Sequence, residues 1–258
     1  MKFITITLVL NLLLSFQITA QHVRFTQQGE IQYEKKVNMF ALLRSFINKD
    51  NEAYMQRTYD QYKASQPQFV TTKSVLTFSR NESLYKAAET GGSPPQNSFA
   101  FFPGVNQINV VHNNYTTHST TIQKTVFEQV FLVKDNTRKI KWKITDETRE
   151  IAGYQCRRAN ALVMDSIYVV AFYSDKIPVS GGPETFSGLP GMILGVALPH
   201  DHISWFATKV TDAPVAKTSL QAPAKGKAVD NTGLKETLQK AFKQWGQQAQ
   251  LYFKFFVL

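Results

Sequence analysis

The sequence predicts a mainly β protein of the α+β class, an antiparallel sheet with a few packed helices. Three observations lead there. Between Phe69 and Val210 apolar residues recur with a period of two in one short run after another, with no helical stretch between them. Consecutive strands of that kind pair antiparallel. Helical spacing shows only over 37–63 and again over 233–256. Cys156 is the single cysteine, which excludes an intramolecular disulfide and any multi-cysteine metal or iron–sulfur centre. A chain of 258 residues buries a sizeable core without such staples.

The elements follow in order. Met1-Lys2 is a short positive start, Phe3 to Phe16 carries no charge, and the run ends at the small residue Ala20. That is the pattern of a secretory signal peptide over residues 1–20, cleaved after Ala20. The apolar run falls short of the roughly 20 residues of a membrane span. Glu30 to Glu34 alternates and starts a β domain over 21–212. Helices are inserted at about 38–65, where Phe40, Leu43 and Ile47, then Tyr54, Tyr59 and Tyr62, recur at helical spacing. Asn48-Lys49-Asp50-Asn51 breaks them, with Asp50 or Asn51 capping the second. A strand pair turns around Arg80-Asn81, and residues 88–104 form a long loop. Strands are expected at 107–111, 115–122, 126–133, 138–145, 154–162, 166–173, 193–198 and 203–210. Residues 213–232 read as an irregular segment. A C-terminal helix over 233–258 carries Leu234, Leu238, Phe242 and Trp245 on one face.

Without Lys2 the chain has 28 Lys and Arg against 19 Asp and Glu, a net +9. Such a charge suits an anionic membrane surface or another acidic envelope component. The basic groups are short and separate: Lys35-Lys36, Arg138-Lys139 with Lys141 and Lys143, and Arg157-Arg158. That scatter, in an exported chain, argues against nucleic acid. The alternation at 138–143 reads as the solvent face of a strand.

Candidate chemistry is sparse. Phe99, Phe101 and Phe102 sit on the long loop and are the candidate contacts for an apolar or amphipathic ligand. His200 and His202, at strand spacing, would point to one face and share a Zn²⁺ or Cu²⁺, with His112 and His118 completing the set. The alternative is that Pro199 to His202 is simply a polar turn. Cys156 beside Arg157 and Arg158 reads as buried and inert, since alternation sends Arg157 to the other face. No G-x-S-x-G elbow or phosphate loop is present. A non-enzymatic binding protein for an apolar ligand or an envelope partner therefore ranks first, a periplasmic metal-binding protein second and a hydrolase last.

One stretch is distinctive. In Gly182 to Leu194, Gly188 and Gly191 allow unusual backbone, Pro190 fixes its own φ, and Leu189, Met192 and Ile193 are apolar. It reads as a rigid structural bend, with Glu184 its sole ionisable group. Gly188-Leu189-Pro190-Gly191-Met192-Ile193-Leu194 resembles the signature of the GLPGLI family, with Met192 where the family has leucine. Gly29 to Glu34, Ile151 to Cys156 and Ala171-Phe172-Tyr173 with Ile177-Pro178 match in order. The resemblance covers most of 29–210. It implies a bacterial exported protein, periplasmic, in the outer envelope or secreted, with no assigned activity and no catalytic residues to carry over. It also implies a curved sheet or half-barrel similar to the periplasmic lipoprotein carriers, with helices against the concave side.

Overall fold

The computed structural model describes residues 25–88, 102–106, 109–245 and 247–258. The expected signal peptide lies outside them. Strands β1 (Gly29–Asn38), β2 (Phe69–Phe78), β3 (Glu82–Ala87), β4 (Asn109–Asn114), β5 (Ser119–Val126) and β6 (Gln129–Asn136) form one half of a single sheet. Strands β7 (Lys143–Ile151), β8 (Tyr154–Val163), β9 (Ile167–Ser174), β10 (Met192–Leu198) and β11 (Ile203–Asp212) form the other. The order is β12-β6-β5-β4-β3-β2-β1-β11-β10-β9-β8-β7, where β12 is Lys227–Val229. The fold is therefore mainly β, one large curved open sheet. Neighbours pair antiparallel except β12, which lies parallel to β6 inside the segment expected to be irregular.

The helices are α1 (Met39–Ser45), α2 (Glu52–Ser65), the single turn α3 (Pro103–Asn106), α4 (Asn231–Ala241) and α5 (Gln247–Val257). Asn38 caps α1, its side chain accepting from the Ala41 N–H at 3.2 Å. Asn51 precedes α2, yet its side chain accepts from the Asn48 N–H and donates to the Phe46 carbonyl, pinning the break instead of capping. The C-terminal helix is two helices, because the chain turns at Phe242–Trp245 and returns Phe256 to stack on Phe242 at 6.2 Å. Phe255, Phe256 and Val257 are buried, each removing apolar area worth about 1.5–3 kcal/mol.

Residues 137–142 correct one expectation. They alternate, but they form no ladder, because they cross from β6, near one edge of the sheet, to β7, the other edge. Arg138 shares its parity with Ile140 and Trp142 and donates to the Val257 carbonyl oxygen at 2.6 Å, while Lys139 and Lys141 face solvent.

The 175–191 loop carries the distinctive stretch. Tyr33 on β1 donates to the Ile193 carbonyl at 2.6 Å, and Trp142 Nε1 donates to the Ser187 carbonyl at 2.9 Å. Gly188 has φ +95, which favours glycine, and a Cβ at Gly191 would lie 2.2 Å from the Ser174 carbonyl oxygen. Leu189, Met192 and Ile193 are buried, as a structural bend requires.

Candidate functional site

The loop delivers Glu184 into the interior. Its carboxyl is buried, and its backbone takes φ +53, which costs a residue with a side chain roughly 1–2 kcal/mol. Strained backbone at a buried ionisable group is a feature of functional sites.

Lys35 on β1 and Lys124 on β5 act on the same carboxyl. Three strands stand between them, four inter-strand spacings or roughly 19 Å along a flat sheet. That both reach Glu184 follows from the curvature, and it places the site on the concave side. Each lysine falls in phase with its strand's buried positions: Ile31, Tyr33, Lys35 and Val37 on β1, Thr120, Ile122, Lys124 and Val126 on β5.

Further partners complete the cluster. Asn109 Nδ2 donates to Glu184 Oε2 at 2.8 Å, and the Tyr85 hydroxyl is directed at the same carboxyl. Lys35 Nζ donates to the Val105 carbonyl at 3.4 Å and lies 5.3 Å from the Trp205 ring centre. Lys124 Nζ donates to the Phe256 carbonyl at 2.6 Å. Burial pulls Lys35 down to about 8, with Glu184 opposing. It pulls Lys124 down to about 8 as well, Glu184 opposing and Arg138 adding to the fall. Glu184 is pushed above the usual carboxylate range by burial, against Lys35, Asn109, Lys124 and Tyr85.

Beside the cluster is a cavity of about 30 Å³, bounded by Glu184, Lys35, Phe186, Trp205 and Phe255. That is room for about one water. Helix α5 closes the concave side through main-chain contacts. Lys124, Arg138 and Thr185 donate to the carbonyl oxygens of Phe256, Val257 and Leu258 at 2.6, 2.6 and 2.7 Å. Lys254 pairs with Asp201.

The residues singled out in the sequence fall elsewhere or play other parts. Phe99 and Phe101 lie outside the described residues. Phe102 is buried, edge-on to Phe46, Tyr252 and Phe255 at 5.2–5.4 Å. It is a contact of α5, not an exposed loop ring. His200 lies in the one-turn helix Pro199–Asp201, and His202 follows it at φ +58, so the pair does not share a strand face. His112 on β4 bonds Glu82 at 3.1 Å, and exposed His118 sits in the β4–β5 turn. The alternating strand directions put that turn and the β10–β11 turn at opposite ends of the sheet, roughly 25 Å apart. Histidines 112 and 118 therefore do not join 200 and 202. Among the described residues no three His, Cys, Asp or Glu side chains gather as metal ligands. Cys156 is fully buried, and burial pushes its thiol up to about 12.

Sequence reasoning noted Glu184 but missed Lys35, Lys124, Asn109 and Tyr85. The parity of the lysines on their strands was the signal that identifies them.

Comparison with known proteins gives limited company. A family model described as a protein of unknown function (Porph_ging) matches residues 162–195, a span from the end of β8 into β10 that includes Glu184 and the Gly188–Leu194 bend. No curated protein matches the chain. Two solved structures of PNGF-II, in different space groups, superpose with TM-score 0.49 at 18% and 17% identity. The match covers 83% of this chain and 34% or 33% of those chains, so this chain spans about a third of their length.

Proposed function

We propose that this is an exported envelope protein of the GLPGLI type, periplasmic or carried further out, that binds an amphipathic ligand or an envelope partner in its concave groove without catalysing a reaction. The observation that carries the reading is the manner in which α5 is held. Its last residues are gripped through three carbonyl oxygens by Lys124, Arg138 and Thr185, and through aromatic edges by Phe102. Main-chain contacts do not read side chains, so the same donors serve any ligand that offers acceptors beside an apolar body. The Glu184 cluster beneath is charged ground for a polar head, and perturbed ionisable groups of this kind concentrate at functional sites. In this reading α5 is the resident occupant, and a ligand displaces it.

The test is native mass spectrometry of the mature protein purified from its own envelope, beside an unfolded control. A lipid-sized adduct lost on unfolding, and retained more strongly after Phe255→Ala loosens α5, is the expected result. A bare mass in both the native protein and the Phe255→Ala variant removes the amphipathic-ligand reading. An adduct of metal-ion mass that survives in a His200→Ala, His202→Ala protein removes the histidine site.

A further inference from the structure

A second site lies on the outside of the molecule, meeting the groove at Arg138 and Val257. The crossing segment 137–142, the β8–β9 turn and the start of α4 surround an open cleft of about 390 Å³. Arg138, Lys139, Lys141 and Lys235 line it against a single carboxylate, Asp165. Among the described residues none of these four cations is paired with a carboxylate. Arg138 Nη2 is spent on the Val257 carbonyl, but Nη1 is buried without an acceptor. Solvent does not reach Nη1, so Arg138 contributes its charge to the cleft and the exposed lysine ammoniums contribute the donors. The helix start does not supply the attraction, since the Asn231 and Gly233 N–H groups are taken by Asp135 and Asp230. The four side chains do.

We infer that this cleft binds a phosphate group, the anion whose several oxygens accept from flanking lysine ammoniums at once, beside the charge of Arg138. Its volume matches a small phosphate ester or a lipid headgroup. The lysines give the donors and Arg138 adds charge.

The test compares wild type with two variants of equal net charge. One is Lys139→Glu, Lys141→Glu, Lys235→Glu, inside the cleft. The other is Lys209→Glu, Lys217→Glu, Lys225→Glu, all exposed and outside it. Binding is read by calorimetry with inorganic phosphate and by flotation with phosphatidylglycerol vesicles, phosphatidylcholine vesicles serving as blank. Circular dichroism confirms that each variant is folded. At least a tenfold loss in the cleft variant, with the outside variant within about twofold of wild type, is expected. Binding of phosphate without vesicles assigns a free phosphate ester, and binding of phosphatidylglycerol vesicles without phosphate assigns a headgroup at a surface. Equal loss in the two variants, or no binding of either probe to wild type, overturns the site.

Discussion

The lysines of the concave interior and those of the outer cleft are the same chemical group under opposite conditions. Lys35 and Lys124 are out of water, share one carboxylate and are pulled down to about 8. Lys139, Lys141 and Lys235 stand in solvent with no carboxylate partner among the described residues. The interior charges are fixed by their neighbours, so removing one neighbour acts on stability. The three cleft lysines make no ion pair among the described residues, so removing them acts on binding. The contrast separates charges that also hold the fold from charges that serve recognition alone, and it can be broken from either side.

The strongest strain on it is Glu184→Leu. Two buried ammoniums lose the carboxyl that opposes their fall, and breaking such a pair costs about 3–5 kcal/mol. Urea unfolding at pH 7 measures the loss. At pH 9.5 the orphaned lysines are largely neutral, so the loss shrinks there. An equal loss at both pH values means that packing of the loop, not charge, is what Glu184 supplies.

Next in size is Phe255→Ala, about 3 kcal/mol from lost area and the cavity left behind. It removes an edge contact to Phe102 and a wall of the small cavity. Limited proteolysis should cut within α5 first. Cutting elsewhere first would mean α5 is not the loosest closure of the groove.

These two positions show what the sequence makes legible. The strands were readable because period-two alternation is a local property of the chain, and Leu189, Met192 and Ile193 were readable as a buried bend. Curvature is not local. Nothing in the neighbourhood of Lys35 or Lys124 says that strands four apart converge on one carboxylate; only their parity with Tyr33 and Ile122 marks them as inward. Arg138 misled for the same reason. Its segment alternates, but ladder partners come from the topology, and residues 137–142 have none. The parallel pairing of Lys227–Val229 was hidden because three residues carry no period. His200 and His202 looked like a strand pair because spacing alone cannot distinguish a strand from a tight turn.

A pH series tests the interior without removing a group that packs the loop. Between pH 8 and about 9.5 the unfolded lysines, near 10.5, hold protons that folded Lys35 and Lys124 have begun to lose. The unfolded state binds more protons, so stability rises with pH by about 1–2 kcal/mol per lysine. Glu184 acts in the opposite sense and at lower pH. Its folded form holds the proton longer than the unfolded form, near 4.5, so its contribution falls as pH rises through that window. Tyr33, Tyr85 and Tyr115, all raised by burial, weaken the fold only above about 10, beyond the series. Thermal unfolding of wild type beside Lys35→Met and Lys124→Met reads the difference, and each variant should lose its share of the rise. A rise unchanged in both variants would assign it to relief of the overall positive charge.

The smallest expected effect on stability is at the cleft, and there smallness is the result that matters. Lys139→Glu, Lys141→Glu, Lys235→Glu alters three exposed side chains that make no ion pair among the described residues. Each substitution is therefore expected to change stability by no more than about 0.5 kcal/mol. Repulsion among the four cations is relieved as well, so in low salt the variant is expected to melt slightly above wild type, a gain that 0.5 M salt screens away. A loss of several kcal/mol would show that the crossing segment needs these lysines to hold the edges of the sheet together. The distinction between charges that also hold the fold and charges that only bind would then fail where the two meet, at Arg138.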